Sequence, residues 1–129
     1  MSRTVFLVRF RDGEPGPLPL EVVREVLAPY VVAAGEDLRD GVLIRTADGC
    51  EVDVDVDDLC VAVSRFPRGP FSDVLARLVD RLGATVIPTD RPVAIREEGD
   101  RAHLSADLRD GAVVVAPTGP SLEAFLSGP

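Results

Sequence analysis

The stretch Gly41–Arg65, GVLIRTADGCEVDVDVDDLCVAVSR, decides how this chain folds. Two runs of period-2 alternation flank Ala47-Asp48-Gly49, and Asp-Gly between alternating segments is the strongest short-range hairpin signal. Along the second run Glu51, Asp53, Asp55 and Asp57 fall on one face of a strand, with Val52, Val54 and Val56 on the other. A third apolar run, Cys60–Val63, follows the turn residues Asp57-Asp58-Leu59. One side of such a meander packs dry against a core, and the other stays wet.

Outward from this meander, the flanks alternate between strands and helices. Arg3–Arg11 (RTVFLVRFR) reads as a strand with apolar residues on both faces at its middle, which places it centrally in a sheet. The Gly- and Pro-rich segment Asp12–Pro19 reads as a loop. Leu20–Ala28 is an amphipathic helix with Leu20, Val23, Val26 and Leu27 inward, and Pro29 ends or kinks it. Tyr30–Ala34 fits either a short strand or a continued helix, and Gly35–Gly41 is a polar loop. After the connector Phe66–Pro70, the helix Phe71–Leu82 shows the cleanest periodicity. Ser72 is its expected N-cap, Asp73 and Arg77 an i,i+4 pair, and Gly83 its C-terminal glycine. Ala84–Ile87 is a short strand, and Val93–Ile95 pairs back on it. Arg96–Asp110 yields only irregular turns, because Gly99 interrupts any helix there. Ala112–Ala116 reads as a buried strand, and Ser121–Leu126 as a closing helix capped by Ser121.

These elements add up to an α+β two-layer sandwich: one mixed, mostly antiparallel sheet with two main helices on one face. The first strand, first helix and hairpin resemble the opening of a ferredoxin-like unit, a resemblance of topology and not of motif. Length fits one domain over residues 1–129, since domains cluster near 100–150 residues. The expected core brings together Phe6, Val8, Leu75, Leu78, Leu82 and Val114.

Composition narrows the function classes. The net charge is −8, concentrated in residues 1–66. That argues against nucleic acid and anionic lipid as partners and favours cationic ones. All 14 basic residues are Arg, with no Lys, Asn or Gln, a bias of the kind high-GC bacterial genomes produce. Lysine chemistry is thereby removed. No apolar leader follows Met1-Ser2-Arg3, and no run approaches the roughly 18 apolar residues of a membrane span, so a cytoplasmic location is expected. Cys50 and Cys60 are then expected to be reduced, and to lie at opposite ends of one strand, out of disulfide reach.

The constellations suited to chemistry are thin. Asp53-x-Asp55-x-Asp57 imitates the start of an EF-hand loop, but Asp58 replaces the obligatory glycine and Ser64 the closing Glu. Two cysteines and a distant His103 do not make a zinc site. Asp100, His103 and Asp107 share a face only if a continuous helix runs through Gly99. No nucleophile elbow and no phosphate-binding glycine motif occurs, although Thr118-Gly119-Pro120-Ser121 is a turn whose N–H groups could cradle an anion. The residues thus indicate no catalytic group, cofactor or metal ligand.

What stands out is the acidic ladder Glu51, Asp53, Asp55 and Asp57, read as a docking surface for a basic protein partner. The function that fits is a small acidic non-enzymatic interaction protein, neutralising or accompanying that partner as an immunity-type or operon accessory protein. The alternative is a ligand-binding or regulatory domain with a pocket between sheet and helices. Arg9, Arg45 and Arg65 set a competing expectation: if they already pair with the ladder, the acids are structural.

Overall fold

The computed structural model describes residues 4–66 and 68–127. It contains a nine-stranded sheet: β1 (Thr4–Arg11), β2 (Glu14–Gly16), β3 (Val31–Ala34), β4 (Val42–Arg45), β5 (Glu51–Val56), β6 (Val61–Ser64), β7 (Thr85–Pro88), β8 (Ala94–Ile95) and β9 (Val113–Val114). The spatial order is β3-β4-β5-β6-β1-β7-β8-β9, with β2 paired to β1 beside that path. Every pairing is antiparallel except β8 with β9. The helices are α1 (Leu20–Leu27), α2 (Pro70–Leu82), the single turn α3 (Ala106–Arg109) and α4 (Gly119–Ser127).

The expected α+β architecture is present. β1 lies between β6 and β7, the two strands that α2 joins, so the segment β6-α2-β7 straddles β1 as a split β-α-β unit. The order β5-β6-β1-β7 is that of a ferredoxin-like sheet. It is extended by the β3-β4 hairpin at one side and by β8 and β9 at the other.

One apolar core holds the sheet to its helices. Val5 and Leu7 of β1, Ile44 of β4, Val52, Val54 and Val56 of β5, and Val61 and Val63 of β6 face it. Val23, Val26 and Leu27 of α1, Val74, Leu75, Leu78, Val79 and Leu82 of α2, and Leu122 and Leu126 of α4 close it from above. α2 touches both α1 and α4, and Arg81 ties it to Glu25 of α1 at 3.3 Å. Gly83 takes the left-handed conformation (φ 65°) that ends α2.

Several expectations change. Leu75, Leu78 and Leu82 are in this core, but Phe6 and Val8 are half-buried on the opposite face, and Val5 and Leu7 take the core positions. Both faces of β1 are apolar, so its own pattern does not say which one the helices cover. Val114 is also misplaced: β9 is an outer strand, with Val113 and Val114 40% and 49% exposed. Tyr30–Ala34 resolves into a 3-10 turn through Pro29 followed by β3, whose four residues are exposed. The 12–19 segment is more ordered than a loop. Asp12 (φ 53°) and Gly13 (φ 89°) form a two-residue hairpin turn between β1 and β2, the Asp-Gly signal at a second place. Pro15 is tolerated because β2 pairs on one side only.

The helix caps also differ from those the sequence suggests. Gly69, not Ser72, precedes α2, where Pro70 takes the first turn and Ser72 is buried. Asp73 makes no ion pair with Arg77; it lies against Gly119, where any β-carbon would collide with its carboxylate. Thr118, not Ser121, caps α4, its hydroxyl accepting from the Ser121 N–H at 3.3 Å. With the Asp73 carboxylate at the start of α4, the Thr118–Ser121 turn is a poor cradle for an anion.

The legibility of residues 96–112 is lowest in sequence and their placement is the main surprise. A 3-10 segment (Glu98–His103) and α3 fold across the back of the sheet. There Val93, Ile95, Leu104 and Ala112 build a second apolar cluster against Phe10 and Ile87. The Gly13 N–H donates to the His103 carbonyl at 2.9 Å, clipping this cover to the β1-β2 turn. Asp100 pairs with Arg96 (3.1 Å), while His103 faces Asp12 at 3.8 Å, so Asp100, His103 and Asp107 share no helix face.

Candidate functional site

The back face of β4, β5 and β6 forms a shallow concavity of about 930 Å3. Its floor follows from strand alternation: with Val52, Val54 and Val56 buried under the helices, Glu51, Asp53 and Asp55 must point outward. Leu43 of β4 stands opposite Asp53, and Ala62 of β6 opposite Asp55. Gly41, Ala33, Ser64 and Thr4 supply the remaining small surfaces, and the Ser64 and Thr4 hydroxyls are hydrogen-bonded at 3.2 Å. Asp53 and Asp55 are both exposed there.

Their charges are not cancelled locally. Among the described residues, neither Asp53 nor Asp55 has an ion-pair partner within 4 Å. Glu51 does, with Arg45 at 2.7 Å across the β4-β5 pair. Arg9 and Arg65 do not reach the ladder. Arg65 sits at the rim, its backbone in the left-handed region (φ 57°) where the chain leaves β6. The remaining rim acid is Asp40, which packs against Gly35 and makes no ion pair among the described residues.

The four ladder residues therefore divide three ways. Asp53 and Asp55 come together on an open surface. Glu51 is an exposed partner of Arg45. Asp57 follows the strand and folds back, its carboxylate accepting from the Leu59 and Cys60 N–H groups at 2.8 Å each. That is an Asx turn holding the β5-β6 connection. Asp40 belongs to a polar loop whose path no periodicity predicts, so strand alternation does not point to it. Asp37 accepts from the Arg39 backbone and side chain there, and Arg39 reaches on to Asp58 at 3.2 Å, folding the loop against the meander. The Arg39 guanidinium holds the Asp37 carboxyl below its ordinary range.

The thiols lie where the meander puts them, at the two ends of β5, so roughly 20 Å separates them at 3.3 Å per residue. Both are free. The neighbouring Asp48 carboxylate pushes the Cys50 thiol above its usual range; burial, with Asp57 nearby, does the same for Cys60. Among the described residues, no three His, Cys, Asp or Glu side chains converge so as to hold a metal ion. No described helix is long and apolar enough to cross a membrane.

A second recess, about 240 Å3 and mostly apolar, opens on the helix side of β3 between Leu27, Ala28, Val31, Leu38 and Val42. It is smaller than the 300–1,000 Å3 typical of small-molecule sites. No protein-family model matches the chain, and no curated protein or solved structure matches it either.

Proposed function

We propose that this protein works by contact with a basic protein partner, which it neutralises or accompanies, and that the back-face concavity is the contact surface. The observation that carries this reading is the pair Asp53 and Asp55, exposed side by side with no ion-pair partner among the described residues. Two like charges on one strand face repel, and a partner's guanidinium groups would relieve that repulsion while steering the encounter. The concavity above these strands is open, which gives such groups room to approach.

The reading is tested with nona-arginine as the probe, titrated into the 15N-labelled protein. Amide shifts are expected to centre on residues 43, 53, 55 and 62 and to fade with added salt. Asp53→Asn with Asp55→Asn should weaken the affinity about tenfold, equivalent to about 1.4 kcal/mol. Shifts centred elsewhere, or an affinity unchanged by the double substitution, would exclude this surface.

A further inference from the structure

Among the described residues the sheet ends at β3, which pairs only with β4. An outer strand presents a row of unpaired N–H and C=O groups, and proteins usually guard it with charge, proline or a covering segment. Val31–Ala34 has no charged residue and no proline, and Val31 and Val32 are 41% and 45% exposed. Its one guard is a bulge between Val31 and Ala33. Of the other strands with a free edge among the described residues, β9 has two residues and β2 has three, with Pro15 at its middle.

A recess flanks β3 on each face of the sheet. On the helix side lies the apolar one, lined by Leu27, Ala28, Val31 and Leu38. On the back lies the rim of the acidic concavity, with Ala33 and Asp40. Side chains of an added strand point alternately to the two faces. One set would therefore enter an apolar recess and the other an acidic one.

We propose that β3 takes up an extended segment of the basic partner as an additional strand, selecting alternating apolar and basic residues. This rests on the proposed acidic contact and supplies its geometry. Main-chain hydrogen bonds would provide affinity and the two recesses specificity. Asp40, which lies against Gly35 just past the end of β3 and lines the concavity, would receive a basic side chain of the added strand. Asp53 and Asp55 lie two strands further in, so they would receive basic residues flanking the paired segment. A second copy of this chain is the poorer occupant. Two-fold pairing of β3 would bring together two copies of a chain of net charge −8, which repel as wholes.

The test uses an eight-residue peptide of alternating Val and Arg, and the same peptide N-methylated on alternate backbone nitrogens so that one edge cannot donate. The unmethylated peptide should slow amide exchange across residues 31–34 more than tenfold and show cross-strand contacts to β3. The methylated peptide should bind at least tenfold more weakly, and Asp40→Asn should weaken the unmethylated one several-fold. Equal binding of both peptides, with shifts at 53 and 55, would overturn strand addition and leave the acidic contact standing. Binding of neither peptide would overturn both. A dimer that protects the 31–34 amides without peptide would overturn the proposal in favour of self-pairing.

Discussion

The back of this sheet has two halves, built by different strands and covered differently. Beneath β1, β7 and β8 it is apolar, with Phe10 and Ile87, and residues 96–112 fold over it to form the second cluster. Across β4, β5 and β6 it carries Asp53, Asp55 and small side chains, and no described segment covers it. Where a face offers apolar area, burying it at about 25 cal/mol per Å2 offsets the entropy of ordering a covering loop. Where it offers carboxylates, covering would require desolvating charge, so the face stays open. One sheet thus carries a closed, apolar half beside an open, charged one.

The largest effect expected is in the main core, which both halves share. Leu78 is fully buried between helix and sheet, and Leu78→Ala should cost about 2–5 kcal/mol in denaturant unfolding. A loss below about half a kcal/mol would mean α2 is peripheral. Leu104→Ala probes the closed half: Leu104 is fully buried in the second cluster, so a loss of about 2–4 kcal/mol is expected, with faster amide exchange through residues 96–112. If exchange there were already fast in the unaltered protein, the contrast between the halves would collapse.

Smaller effects are expected in the open half. Asp53→Asn with Asp55→Asn should leave the melting temperature level or raise stability by a few tenths of a kcal/mol, since like charges on one strand face repel. A clear drop would instead reveal a structural role for these acids. The smallest effect concerns the thiols. Cys50 and Cys60 are both pushed above the ordinary thiol range, so less thiolate is present near neutral pH and iodoacetamide should react more slowly than with an unstructured cysteine peptide. The rate should climb as pH is raised towards and past the shifted values. Faster alkylation than the peptide would point to an electropositive surrounding and contradict the acidic reading of this half.

Much of the architecture was legible because short-range rules govern it. The 41–65 meander, the Asp-Gly turn at 48–49 and the helix 71–82 follow from periodicity and turn chemistry alone. Asp12-Gly13 carried the same signal but was obscured by three prolines downstream. Of the acidic ladder, alternation placed Glu51, Asp53 and Asp55 correctly. It could not foresee that Asp57 would satisfy two backbone N–H groups, because a carboxylate one residue past a strand is free to turn back on its own chain.

By itself, then, the sequence determined which residues alternate, where the chain turns, and that one strand face must be wet, since these depend on neighbours a few positions apart. The tertiary structure decided what depends on partners far along the chain. It chose which apolar face of β1 meets the helices, putting Val5 and Leu7 inside in place of Phe6 and Val8. It left β9 exposed at the margin although its composition suits a core. It brought residues 96–112 over one half of the back face and left the other half bare. A strand with two apolar faces, or an apolar run with no pattern, is compatible with several surroundings. Only the packing of the remaining chain selects among them.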